Sequence, residues 1–122
     1  MRNPIDPELQ KIIDAENERN RAERRRIAWR LVEARKEAER LAEALGRADP
    51  NVRKVILFGS VAAGTARSEG FDIDLGLLGG DQLALMSITE ESSFRVDLVD
   101  LQAVSSRFRE LVEQRGEELY HA

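Results

Sequence analysis

The sequence predicts an α/β (α+β) protein in which a small mixed sheet is covered on one face by helices and preceded by a long helical extension. Three observations predict this class. Neither glycine nor proline occurs between Pro7 and Gly46, and the intervening residues are mostly strong helix formers. Three short apolar runs follow, and each is bounded by glycine or polar residues. The elements then alternate in type along the chain, which is the pattern of a domain built on one sheet.

The first element is a helix over residues 7–46. We expect it to end at Gly46, because glycine and the following Pro50 are helix stop signals. In its second half the apolar residues recur at spacings of four and three, which places them on one face of a helix. These residues are Ile27, Leu31, Ala34, Ala38, Leu41 and Leu45.

The predicted helix is longer than the small domain that the rest of the chain can form. Forty residues of helix span about 60 Å, roughly twice the width of a small domain, so the helix must break, fold back or project. We therefore divide the chain into an N-terminal helical extension (1–26) and a domain (27–122). A projecting helix would expose apolar side chains, which predicts packing on a second copy or another protein. The side chains concerned are Leu9, Ile12, Ile13 and Trp29.

Residues 19–30 carry six arginines, which raises nucleic-acid binding as an alternative. Glu18 and Glu23 interrupt this basic stretch, and Trp29 is its one aromatic residue. The formal net charge of −4 also argues against a protein that coats nucleic acid. A solvated helix face with ion pairs between neighbouring turns is therefore the favoured interpretation.

The remaining elements are predicted from short apolar runs and from the glycine and polar residues that end them. Four consecutive large apolar residues, Val55 to Phe58, predict a buried strand that ends at a glycine. Gly79 and Gly80 end the next strand, and Asp81 is a helix N-cap. The predicted series is a strand at 52–59, a short helical turn at 60–65, a strand at 71–78, a helix from Asp81 to Glu91, a strand at 94–101 and an amphipathic helix that stops at Gly116.

Aspartates interrupt two of these apolar strands. Side chains alternate between the faces of a strand, so Asp72 and Asp74 point the same way, with Cα atoms about 6.6 Å apart. Asp97 lies on the face of the third strand opposite the apolar residues Val96 and Leu98. If the apolar faces of the two strands lie on the same side of the sheet, Asp97 comes beside Asp72 and Asp74. Three ionised carboxylates repel one another unless cations neutralise them, and Mg²⁺ or Mn²⁺ suits oxygen ligands. The alternative is that the aspartates lie at strand ends and face solvent.

Gly59 and Ser60 stand between the first strand and a short helical turn. Backbone N–H groups at such a junction can bind phosphate oxygens, and glycine permits a close approach. The dipeptide alone more often marks only a turn. It is not part of a Walker A loop, because no Gly-Lys-Ser/Thr follows it.

Together these motifs resemble the minimal nucleotidyltransferases of the DNA polymerase β superfamily, of the antitoxin type. The similarity runs over about residues 52–120 and includes the ending EQRGEELYH, which resembles the family's last helix followed by Gly and Leu-Tyr. Each part is weak alone, but the combination is specific. The motif set is Gly59-Ser60, Asp72-x-Asp74 and Asp97.

The resemblance implies a role for each of these residues. Gly59 and Ser60 would hold the β- and γ-phosphates of a nucleotide. Asp72 and Asp74 would bind two Mg²⁺ ions, and Asp97 would bind the catalytic ion and help to deprotonate the acceptor hydroxyl. The reaction would transfer a nucleoside monophosphate, with AMP expected, from ATP or another NTP to an acceptor and release pyrophosphate. The alternative is a non-catalytic antitoxin or scaffold that neutralises a partner by binding it.

The sequence departs from the family pattern at three places. Eleven residues separate Ser60 from Asp72, where ten is the commonest spacing. Phe71 stands where a small polar residue usually precedes the first aspartate, and Ala63 stands where arginine is frequent. Arg67 remains as a candidate phosphate contact, with a solvated loop arginine as the equal alternative.

Composition and length limit the kinds of partner and chemistry that we expect. About seventy residues follow Asn51, which leaves no second domain for an acceptor, so we expect a partner protein, a second copy of the chain or a very open site. The family resemblance implies that such a partner is a HEPN-type helical protein. Cysteine is absent, which excludes thiolate chemistry and disulfides, and the single histidine, His121, lies at the C-terminal end. No apolar leader or membrane-length run is evident, so we expect a cytoplasmic protein without a membrane partner.

Overall fold

One uninterrupted helix, α1 (Pro7–Ala48), forms the first third of the chain in the computed structural model, which describes residues 6–122. Asp6 caps its start by accepting a hydrogen bond from the backbone N–H of Glu8 at 2.8 Å. The helix neither breaks nor folds back. Between residues 6 and 26 only Gln10 and Ala22 are even half-buried, and Ile27 is the first buried residue. The helix crosses the predicted division at residue 26 without a change in backbone, so the division of the chain stays a prediction.

The end of α1 differs from its prediction. The helix continues past Gly46 to Ala48, so Gly46 is not its stop. A Cβ on Gly46 would lie 2.3 Å from the ring of Tyr120, so the glycine makes room for that ring. Its last residue is Ala48, and the C-cap is Asp49, just before Pro50.

The sheet is mixed, as predicted, and has four strands in the order β3-β2-β1-β4. β1 pairs with both β2 and β4 in antiparallel fashion, and β2 pairs with β3 in parallel. The α+β fold class is therefore confirmed. The strands are β1 (Lys54–Phe58), β2 (Ile73–Leu78), β3 (Val96–Asp100) and β4 (Glu117–His121).

Strand β4 was not predicted from the sequence. It follows the last helix after one residue, Gly116, and pairs with the free edge of β1. Its register with β1 shifts between Val55 and Ile56. A five-residue segment with three Glu or His side chains gives a weak strand signal alone, and pairing with the edge of β1 makes it a strand.

Three further helices flank the sheet: α2 (Gly59–Ala63), α3 (Gln82–Glu90) and α4 (Ser106–Arg115). Asp81 caps α3, as predicted, by accepting from the N–H of Ala84 at 3.3 Å. Ser105 caps α4 in the same way through the N–H of Phe108 at 3.2 Å. None of the helices within residues 6–122 has both the length and the apolar character needed to cross a membrane.

The two faces of the sheet bury different clusters. On the first face, the apolar stripe of α1 and residues of α3 pack against alternate residues of the strands, including Leu57, Ile73, Leu75 and Leu98. The second face is also partly covered, beyond what the sequence predicted, because Val112 of α4 packs there with the residues Ile56, Leu78 and Leu101. The remainder of this second face carries the aspartates.

Candidate active site

Two of the three predicted aspartates are direct neighbours across the sheet. Asp74 of β2 and Asp97 of β3 are partners in the parallel register, and both stand on the face opposite the main core. Asp74 is half-buried. Burial raises the pKa of Asp74 above its usual range, and the negative charges of Asp97 and Asp72 raise this pKa further. The strands thus hold carboxylates together without a compensating positive charge at Asp74.

The third aspartate, Asp72, precedes β2 by one residue and forms an ion pair. Its Oδ1 lies 3.1 Å from Nε of Arg95, and Arg95 also donates to the carbonyl oxygen of Gly70 at 3.3 Å. The backbone N–H of Ile73 donates to the carbonyl oxygen of Arg95 at 2.9 Å, which holds the two segments side by side. Asp72 is therefore close enough to influence Asp74 but is neutralised by a neighbouring arginine.

Arg95 is a site residue that the sequence analysis missed. The signal was present, because Arg95 stands two positions before Asp97 and strand periodicity places the two on the same face. Only the parallel register, in which Ile73 faces Val96, shows that Arg95 comes level with Asp72.

Gly59 and Ser60 lie against the carboxylate of Asp74. Gly59 has φ +75°, which side chains rarely tolerate, and a Cβ built on it would lie 2.2 Å from Oδ2 of Asp74. The glycine is therefore required both by its backbone conformation and by the space that the carboxylate occupies. Ser60 is half-buried at the start of α2, and its carbonyl oxygen accepts from the N–H of Thr65 at 3.1 Å. The predicted glycine–serine turn and the predicted aspartates thus form one continuous surface.

A hollow of about 530 Å³ opens beside this surface. Asp72, Arg95 and Asp97 line it together with Phe94 and residues at the C-terminal end of α3. The volume is within the range of small-molecule sites, and the hollow offers both signs of charge beside an aromatic ring. It has room for part of a nucleotide or for an acceptor group next to the carboxylates.

Arg67 lies elsewhere. It lines a separate hollow against α1 with Asn20, Glu23, Arg24 and Ile27. Its role as a phosphate contact stays a prediction, and Arg95 is the arginine that the structure places beside an aspartate.

The donor set suits a divalent cation in part. Asp74 and Asp97 supply hard oxygen ligands from adjacent strands. Burial and the charges of Asp97 and Asp72 raise the pKa of Asp74, so a bound cation would favour its ionised form. Among residues 6–122, no three acidic or histidine side chains converge on a common point as they stand. The ion pair with Arg95 engages Oδ1 of Asp72, so this oxygen binds a cation only if it exchanges that partner.

Comparison with known proteins identifies the family. The model of the polymerase beta nucleotidyltransferase domain matches residues 39–122, which include all four strands. The chain belongs to this family of nucleotidyltransferases. The resemblance deduced from Gly59-Ser60 and the three aspartates is therefore confirmed. A comparison with curated proteins gave no match.

Several of the solved structures similar to this nucleotidyltransferase are toxin–antitoxin complexes. One, described as a toxin–antitoxin with AMP-PNP, is 28% identical, with a TM-score of 0.57 over 69% of this chain and 73% of the other. A mutant of the MntA toxin–antitoxin complex is 30% identical, with a TM-score of 0.52 over 65% and 68%. The tri-AMPylated HEPN toxin of Shewanella oneidensis in complex with its MNT antitoxin is 25% identical, with a TM-score of 0.53 over 71% and 72%.

Proposed function

We propose that this nucleotidyltransferase transfers AMP from ATP to hydroxyl groups of a HEPN-type partner protein and thereby acts as the antitoxin of a toxin–antitoxin pair. Family membership supports the reaction type, and the AMPylated HEPN toxin in a related complex supports the acceptor. The observation that carries the proposal is the pairing of Asp74 with Asp97 directly against Gly59. In this role the protein acts in the cytoplasm, where ATP is supplied.

Each site residue has a role in the proposed reaction that follows from its position. Gly59 and Ser60 offer backbone N–H groups and a hydroxyl to the β- and γ-phosphates, and the absent Cβ of Gly59 lets the phosphates approach the carboxylates. Asp97, on the edge strand β3, stands at the rim of the hollow where an acceptor can enter. It accepts the proton of the acceptor hydroxyl. The hydroxyl oxygen bonds to the α-phosphorus, the bond from that phosphorus to the bridging oxygen breaks, and pyrophosphate leaves.

Mg²⁺ ions belong to this proposal. Asp74 and Asp97 would hold them, and Asp72 would join after releasing Arg95. When bound, such ions neutralise the phosphate charge and position the attacking and leaving oxygens. Mn²⁺ suits the same oxygen ligands.

A transfer assay tests the proposal. The purified chain, its co-purified partner, Mg²⁺ and α-labelled ATP should give a labelled partner whose mass rises by one or more AMP groups. Asp97→Asn should lower the rate at least about a hundredfold, which is the usual contribution of a positioned general base. Asp100→Asn is the matched control, because Asp100 lies on the same strand and caps the turn at Gln102 instead of joining the site.

The alternative is an antitoxin that only binds its partner. The ion pair that engages Asp72 is the observation that favours it. In that case the toxin would be neutralised equally by the wild-type chain and by Asp97→Asn, with no label transferred by either.

A further inference from the structure

The row of side chains that contains Asp97 and Asp74 continues across the sheet into an aromatic residue. Phe58 of β1 is the antiparallel partner of Asp74, and directly opposite residues project from the same face of a sheet. Phe58 also packs with the apolar residues of the second face, on which the aspartates stand. From Asp97 to Phe58 the row crosses two strand spacings, about 10 Å. An aromatic ring therefore stands immediately beside the carboxylates, one residue before Gly59.

Phe108 of α4 extends this aromatic surface. Its ring centroid lies 5.9 Å from that of Phe58, and the two rings are nearly perpendicular, at 85°. Such an edge-to-face contact covers at most one face of one ring, so it leaves ring faces free for a further contact. Leu111 follows Phe108 by three residues and therefore lies next to it on the surface of α4. We call these three side chains, Phe58, Phe108 and Leu111, the aromatic platform.

Solvent reaches the platform because the sheet covers only part of α4. Val112 lies four residues after Phe108 on the same side of the helix, and it is buried against Ile56 with 4% of its surface exposed. Phe108 and Leu111, by contrast, are each 38% exposed. The turn of α4 that lies nearest the carboxylates is thus the turn that presents open apolar side chains.

The proposed reaction directs the nucleoside toward this platform. The acceptor enters at Asp97 and the pyrophosphate leaves at Gly59 and Ser60, so the attacking and leaving oxygens lie along the row. The ribose is bonded to the same phosphorus through a third oxygen and therefore extends to one side of that line. On the face of the sheet that bears the row, α4 lies to one side, since its Val112 packs with Ile56, further along β1. A base attached to the ribose can accordingly lie on the platform.

We propose that the aromatic platform stacks the purine base of the nucleotide whose phosphates Gly59 and Ser60 hold. This inference rests on the proposed function and adds to it the residues that bind the nucleoside. Every base has a π face that can stack on an aromatic ring, and a purine covers more of the ring than a pyrimidine does. The side chains of the platform offer no hydrogen-bonding atoms. It therefore favours purines as a class without separating ATP from GTP.

Calorimetric titration with two probes tests the inference. ATP carries a base, whereas inorganic triphosphate carries the phosphate chain alone, and each is titrated with Mg²⁺ into the full chain without a partner protein. Phe108→Leu keeps an apolar side chain but removes the ring. It should weaken ATP binding at least about fivefold and leave triphosphate binding within about twofold of the wild type. Phe108→Tyr restores the ring and should recover the affinity for ATP, and UTP should bind the wild type more weakly than ATP or GTP.

Two further variants separate base stacking from other effects. Trp29→Leu is the matched control, because it removes an exposed aromatic ring from α1, on the other side of the sheet, and it should leave both affinities unchanged. Ser60→Ala should weaken both probes by the same factor, because it removes a contact to phosphate. Unchanged ATP affinity in Phe108→Leu, or an equal loss for both probes, would overturn the platform and leave the proposed function standing. A wild-type chain that binds neither probe would contradict the proposed function, and the platform with it.

Discussion

Replacing Asp74 by asparagine should stabilise the metal-free protein. The change keeps the shape of the side chain and removes one of two carboxylates that adjacent strands hold side by side. Asparagine is also easier to bury than a carboxylate, and Asp74 is half-buried against Gly59. A residue proposed for function is therefore expected to lower the stability of the fold in the absence of its ligand.

The size of this effect follows from the register. Paired residues on neighbouring strands are about 4.8 Å apart. Two unit charges about 5 Å apart repel by about 0.8 kcal/mol in water and by about 3 kcal/mol at an effective dielectric constant of 20. Because Asp74 retains access to solvent, the value should lie toward the lower limit, and we expect a gain of about 1 kcal/mol in the free energy of unfolding.

The pH dependence has a definite sign. The pKa of Asp74 in the folded protein is raised above its ordinary value of 3.8, first by burial and then by the charges of Asp97 and Asp72. A raised folded pKa means that the stability contributed by this group is present below the unfolded pKa and is lost as the pH rises through the folded pKa. The advantage of Asp74→Asn should therefore be full at pH 7–8 and vanish as the pH falls toward 3.8.

Urea unfolding in the presence of EDTA measures the difference at pH 8 and again near pH 4. Asp97→Glu serves as the matched control, since it keeps the charge that Asp74 meets. Added Mg²⁺ should then stabilise the wild type but not Asp74→Asn, which reverses their order. A wild-type protein at least as stable as Asp74→Asn at pH 8 without metal would refute the reasoning.

Three further predictions follow from the same contacts. Gly59→Ala should cost about 1–2 kcal/mol of unfolding free energy, because it strains a positive φ and displaces the carboxylate of Asp74; unchanged urea stability together with unchanged nucleotide affinity would contradict this. Arg95→Ala should tighten Mn²⁺ binding by up to about fivefold, because it frees Asp72 from an exposed ion pair. Calorimetric titration measures this affinity, and weaker binding by the variant would show that Arg95 assists the site. Leu41→Ala, in a fully buried position, should cost about 3–5 kcal/mol in urea unfolding, and a loss below about 1 kcal/mol would mean that the core is not as described.

Local patterns in the sequence determined the long helix, the strand faces and the family. The four-and-three spacing from Ile27 to Leu45 identified the buried stripe of α1, because only one face of a helix can meet a sheet. The alternation of residues 72–78 separated the aspartates from the apolar side chains, because strand side chains alternate in the same way in any sheet. The joint presence of Gly59-Ser60 and the aspartates was enough to indicate the nucleotidyltransferase family, because the motif lies within a short stretch of the chain.

Only the tertiary structure decided which residues meet across the chain. The five residues of β4 form a strand because β1 offers a free edge, and Gly46 is needed because Tyr120 of that strand lies on the helix at this position. Arg95 pairs with Asp72 because β3 runs parallel to β2 in one particular register. Local propensity reports what a segment can bury or expose, whereas these contacts join residues far apart in the chain. Their identity depends on strand order and register, which no local pattern encodes.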